Sequence, residues 1–132
     1  MVRNLLYLAL GAFPGALCRY GLTLAVPAGT GGLPLSILLI NWAGCLFLGW
    51  FFAVSPKSGR IPARVRLMIG TGFTGTFTTF SAFTVDSVKL LEGGEAGTAL
   101  LYMLLSLAGG IALSAAGVWL GKRTMRAGRA AG

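Results

Sequence analysis

Histidine is missing from this 132-residue sequence, and acids nearly so: Asp86, Glu92 and Glu95 are the full set. Without an imidazole there is no Ser-His-Asp or Cys-His arrangement to build, and the commonest side-chain acid-base group is gone. No apolar run holds two carboxylates, which excludes paired-carboxylate chemistry within a run. The two cysteines, Cys18 and Cys45, lie inside apolar runs and form no Cys-x-x-Cys or Cys/His cluster. That pattern leaves no zinc site, and reads as two buried small apolar residues, not a disulfide. Charge of either sign is scarce, at 11% of residues, against about 25% in an ordinary soluble domain. These absences set an enzyme aside.

What remains is apolar. Hydrophobic residues make up 55% of the chain and mean hydropathy is +0.80. A soluble protein of this length could not hide so much apolar surface in its core, so lipid or partners must cover it. The length suits one domain, residues 1–132, with no room for a separate soluble module. Lys and Arg number 11, giving a net charge of +8. They flank apolar runs and form no stripe on a polar fold. Membrane topology therefore explains them, and nucleic-acid binding is not expected.

Four apolar runs cover roughly residues 4–26, 35–54, 67–91 and 96–120. Each is near the ~20 residues that a spanning helix needs. Backbone groups in lipid have no water to bond, so the expected fold is an all-α membrane protein of four transmembrane helices. Arg3 followed by an apolar stretch and Ala16-Leu17-Cys18 resembles a signal peptide. Leu17 is too large for a lipoprotein-type cleavage site, and three more runs follow, so the first run reads as a retained span. The first loop holds Pro27, Gly29, Gly31, Gly32 and Pro34, and the second is basic. Four crossings put both ends and the second loop on one side. That side carries Arg3, Lys57, Arg60, Arg64, Arg66, Lys122, Arg123, Arg126 and Arg129, nine in all, against Arg19 and Lys89 on the other. The bias predicts that both ends face the cytoplasm. Gly11-xxx-Gly15 and Gly117-xxx-Gly121 predict close helix packing, and Pro14 a local kink.

The third run is unusual. Residues 70–81 hold three Gly and five Thr, a poor composition for a regular helix. Some of these hydroxyls can bond their own helix carbonyls. So many beside glycine predict a locally broken helix with free backbone groups, covered by protein or lining a cavity. Freed carbonyls of that kind can hold a small cation. Asn41 lies midway along the second run, where its amide must find a partner, either across helices or in a pore. Tyr102 and Ser106, four apart, share a face that Gly110 continues. Phe77, Phe80 and Phe83 repeat every three residues, as packing residues or as the wall of a path. Asp86, the one acid within a run, either pairs with Lys89 or orients the break.

At these residues the sequence resembles the CrcB/Fluc family of fluoride channels. The segment Gly72-Phe73-Thr74-Gly75-Thr76-Phe77-Thr78-Thr79-Phe80-Ser81-Ala82-Phe83 is similar to that family's glycine-rich Thr-Thr-Phe-Ser-Thr-Phe stretch. Leu39-Ile40-Asn41-Trp42-Ala43-Gly44 resembles its Asn-x-x-Gly second span, and Gly15-Ala16-Leu17-Cys18-Arg19-Tyr20 its first. The likeness implies a passive fluoride channel in a bacterial plasma membrane, built as a dimer of antiparallel subunits with two pores. It implies that Phe80 and Phe83 are the pore phenylalanines and that Asn41, Tyr102 and Ser106 lie along the polar track. Arg19 would stand near an aqueous vestibule. A central sodium ion would be held by backbone carbonyls of Gly75 and Thr78. The chain departs from the family at Ala82, which replaces a Thr and leaves Ser81 as the neighbouring hydroxyl. It departs also at Thr76, where Gly is usual, at Asp86, where Glu is usual, and at the start of the second span. The charge bias allows two assemblies: a homodimer of both orientations, or a heterodimer with an oppositely oriented homologue. A small multidrug or cation exporter would need a membrane carboxylate that the first run lacks. A non-transporting scaffold would leave the Gly/Thr/Phe run and Asn41 unexplained.

Overall fold

The computed structural model of this chain describes residues 2–26, 32–55 and 61–130, with 128–130 as backbone only. Lys57, Arg60 and the loop residues Pro27, Gly29 and Gly31 lie outside the described residues, as does the side chain of Arg129. The described chain is helical: α1 Val2–Ala25, α2 Leu35–Val54, α3 Ala63–Arg66, a π-helical segment Leu67–Phe73, α4 Thr74–Phe77, α5 Phe80–Glu92 and α6 Ala96–Ala130. Helices α1, α2 and α6 are long and apolar enough to cross a membrane. The 20 residues of α2 make about 30 Å at ~1.5 Å per residue, the thickness of a bilayer's hydrocarbon core.

Helix α6 runs ten residues past the expected end at 120. Nothing in the sequence stops it. No proline interrupts residues 121–130, and a helix satisfies its own backbone in water as it does in lipid. The change from apolar to basic residues therefore marks a change of surroundings, not an end of helix. Arg123 folds back over the Trp119 ring, 4.0 Å from its centroid, a cation-π contact at this transition.

Small residues let the backbones approach. Helices α2 and α6 form the most extensive pair. A Cβ on Gly117 would fall on the Leu46 carbonyl, and one on Gly121 would lie 2.6 Å from the Ala53 Cβ. Trp42 Nε1–H donates to the Leu105 carbonyl at 3.1 Å, tying the same two helices by a directed bond. Helix α1 packs on the π segment through Gly11 and Gly15, its only buried residues. Both small-xxx-small patterns are thus packing faces within one chain. Because α1 buries so little, Cys18 is exposed, contrary to the expectation of two buried cysteines; Cys45 is half-buried, and both are free. A compact cluster of Leu38, Leu90, Ala99 and Tyr102 joins the start of α2 to the turn between α5 and α6. In that turn Gly94 takes φ +78°, which side-chain-bearing residues rarely adopt.

Between residues 63 and 92 the backbone changes form repeatedly. The π segment ends where Thr74 N–H donates to the Ile69 carbonyl. After α4 the chain is extended at Thr78 (φ −76°, ψ 157°) and Thr79 (φ −148°, ψ 123°), and α5 begins at Phe80. Thr79 is the N-cap of α5: its hydroxyl accepts from Ala82 N–H at 3.2 Å. Such a cap contributes about 1 kcal/mol.

Candidate functional site

Asn41 projects from the middle of α2 onto the extended residues. Its Nδ2 donates to the Thr79 carbonyl at 3.0 Å, and its Oδ1 accepts from Thr79 N–H at 2.8 Å. One side chain therefore satisfies both backbone groups of a residue outside any helix. Three residues on, at Gly44, a Cβ would overlap the Thr78 methyl group.

These bonds redirect the local ladder. In an unbroken helix Thr79 N–H would go to the Gly75 carbonyl and Ala82 N–H to the Thr78 carbonyl. Here the first goes to Asn41 Oδ1 and the second to Thr79 Oγ1. Gly75 and Thr78 are the two residues whose carbonyls the family resemblance nominates for sodium. A Cβ on Gly75 would meet nothing within 4 Å, so this position faces open space. Among the described residues no group of three or more His, Cys, Asp or Glu could hold a metal. A cation here would depend on backbone oxygens, and the two diverted ladders fit that donor set.

Around this point lies an open groove of about 670 Å³. Asn41, Gly44, Gly75, Thr78, Thr79, Phe80, Phe83 and Ser106 line it, and further along so do Phe52, Gly70, Thr71 and Ser114. The Phe80 and Phe83 rings stand 5.7 Å apart at 39°. Phe80 is 80% exposed, an unusual position for a phenyl ring unless lipid or protein covers it. Among the described residues no lining side chain carries a charge. An ion in the groove would meet amide and hydroxyl dipoles and phenyl rings, with no lining carboxylate or amine to exchange protons.

The groove thus gathers Asn41, Phe80, Phe83, Ser106, Gly75 and Thr78 from the expected set. Three others lie apart. Ser81 is exposed at the start of α5, where its hydroxyl and that of Thr79 share a hydrogen bond of 3.2 Å. Tyr102 is fully buried behind Phe83, with ring centroids 5.3 Å apart. Its hydroxyl has no hydrogen-bond partner among the described residues. Arg19 is half-buried on α1, which contributes nothing to the groove lining. Phe77 separates from the other phenylalanines and stacks on Phe73 at 5.8 Å, a packing residue.

Several hydroxyls of the third run are spent locally. Thr74 donates to Ile69, and Thr78 to Thr74. Thr76 Oγ1 lies 2.9 Å from the carbonyls of both Gly72 and Ala12, so it faces its own helix and α1 together. Ser114 was not among the expected residues. It lines the groove and lies 3.4 Å from the Cys45 carbonyl. The signal for it was present, since it continues the spacing of four through Tyr102, Ser106 and Gly110.

Residues 6–118 match the family described as CrcB-like protein, Camphor Resistance (CrcB). The chain is 44% identical over 116 residues to the fluoride-specific ion channel FluC 2 of Geobacillus kaustophilus (strain HTA426), covering 86% of this chain and 90% of that protein. It is 42% identical over 123 residues to the fluoride-specific ion channel FluC 1 of Bacillus cereus (strain ATCC 14579), covering 91% and 85%. A third relative, the fluoride-specific ion channel FluC 2 of Listeria innocua, is 37% identical over 123 residues, covering 93% and 94%. With residues 6–118 matching the family model and relatives about 40% identical over most of its length, this chain belongs to the CrcB family.

Proposed function

We propose that this chain is a subunit of a fluoride-selective channel that lets cytoplasmic fluoride leave down its gradient across a bacterial plasma membrane. The observation that carries this reading is the uncharged groove in which Phe80 and Phe83 stand beside Asn41 and Ser106. Fluoride is small and holds water tightly, so a selective path must replace that water with donors while staying too narrow for chloride. Asn41 keeps one amide hydrogen after its bond to Thr79, and Ser106 has a hydroxyl to donate. A phenyl ring has a positive edge, against which a dehydrated anion can rest. Among the described residues no carboxylate, amine or imidazole lines the groove, which favours passive flow over coupling to protons. Ser81 and Tyr102 flank the path in this reading, and Arg19 serves a vestibule.

Residues 63–92 make the third membrane crossing, broken at Thr78 and Thr79. The functional unit is a dimer of oppositely oriented subunits with two pores, Phe80 and Phe83 of each pore coming from different subunits. The exposure of Phe80 and the apolar surface around it support a covering subunit. The partner is either a second copy or an oppositely oriented homologue. A structural sodium ion at the dimer centre would supply positive charge to the Gly75 and Thr78 carbonyls.

The test is ion efflux from liposomes holding the purified protein. Fast fluoride loss, negligible chloride loss and flux at background for Phe80→Ile are expected. Chloride loss as fast as fluoride loss would refute selectivity. Where the chain alone gives no flux, co-expression with a paired homologue decides, and silence there too would refute the channel.

A further inference from the structure

We infer that Asn41 and Gly44 form a two-part seat for Thr78 and Thr79, and that Asn41 acts as a positioning residue for the two phenylalanines. The inference starts from the amide's own inventory. An Asn side chain has one acceptor oxygen and two donor hydrogens. The oxygen and one hydrogen are spent on the Thr79 backbone, at 2.8 and 3.0 Å. Half of the amide's four bonding positions, one on each of its two polar atoms, are therefore committed to the polypeptide.

The need for such a seat is physical. Two extended residues amid apolar surroundings leave backbone groups without helical partners, which lipid cannot satisfy. Asn41 supplies both missing partners for Thr79. Gly44, three residues on and so on the same face of α2, leaves the space that the Thr78 methyl fills. The residues after the seat inherit its geometry. Thr79 caps α5 through Ala82 N–H, and Phe80 is the first residue of that helix. Phe83 follows one turn later, 5.7 Å from Phe80. The direction of both rings is thus set from α2. This gives the Asn-x-x-Gly spacing a purpose separate from any contact with an ion, and glycine at 44 a reason that a lining role alone does not provide.

Two measurements test the seat, and only the second rests on the channel reading. In the first, amide exchange at Thr79 is followed without fluoride in the folded Asn41→Ala protein. Loss of the Oδ1 acceptor is expected to speed exchange at Thr79 by about tenfold, with the amides of residues 100–107 in α6 unchanged. Unchanged exchange at Thr79 would overturn the inference and make Asn41 a groove donor alone. In the second, Gly44→Ala is expected to cut fluoride flux by about tenfold or more. Adding Thr78→Ser, which removes the overlapping methyl group and keeps the hydroxyl, is expected to recover most of the loss. No recovery would overturn the seat. If Asn41→Ala does not fold, the Gly44 and Thr78 pair read as melting temperature decides by the same rescue. If the native chain passes no fluoride, the channel reading fails, and exchange at Thr79 still judges the seat.

Discussion

A Cβ at Gly11 would land on the Met68 carbonyl and 2.9 Å from the Phe73 nitrogen, whereas one at Gly21 on the same helix meets nothing within 4 Å. Chemically identical substitutions should therefore part ways. Gly11→Ala is expected to destabilise the protein by about 1–3 kcal/mol through overpacking against backbone that cannot yield. Gly21→Ala is expected to be neutral or to stabilise α1 by about 0.5–1 kcal/mol, since alanine is the better helix former. Melting in detergent distinguishes them, and equal effects would contradict the packing of α1 on the π segment. At this scale the sequence was legible in part. Glycine spacing pointed to close approach, and Asn41 pointed to a polar need inside an apolar run. What Asn41 bonds was not legible: its partner is the backbone of Thr79, 38 residues away, and a backbone group has no residue signature. Nor was it legible that Tyr102 would turn behind Phe83, since a helical face is read from spacing but the neighbour covering it is not.

Helices α2 and α6 behave as one unit, joined by small residues and by the bond from Trp42 to the Leu105 carbonyl. Trp42→Phe keeps an aromatic ring and deletes the donor. It should cost about 1 kcal/mol and lower the melting temperature by a few degrees, with fluoride selectivity intact. A change of selectivity would mean that Trp42 shapes the groove directly. The long elements were readable because run length and apolarity are local properties. The outer end of α6 was not, because a helix leaving lipid for water changes its side chains and not its hydrogen bonds. Residues 70–81 were marked as poor helix formers by composition. The precise sequence of π turn, short helix and extended pair depends on contacts with α1 and α2 that composition does not encode.

The whole molecule is polarised by charge. On the four-crossing reading nine Lys and Arg residues fall on one side and two on the other, which favours one orientation. A C-terminal tag is expected to be cytoplasmic in most copies, which in the proposed dimer would make the oppositely oriented subunit a homologue. Equal labelling from both faces would instead support a homodimer of both orientations. The length of α6 has a mechanical consequence as well. Its apolar stretch, residues 96–120, is about 37 Å long at ~1.5 Å per residue, more than the ~30 Å of an average hydrocarbon core. Such a helix leans, or thickens the bilayer around it, to resolve the mismatch. Ser106 and Ser114 ride on α6 and form one wall of the groove, so a change of lean is a change of wall position. Fluoride flux measured across lipids of graded acyl-chain length is therefore expected to vary with chain length. The bilayer would then act as a caliper on the channel, its thickness setting how far apart the walls stand.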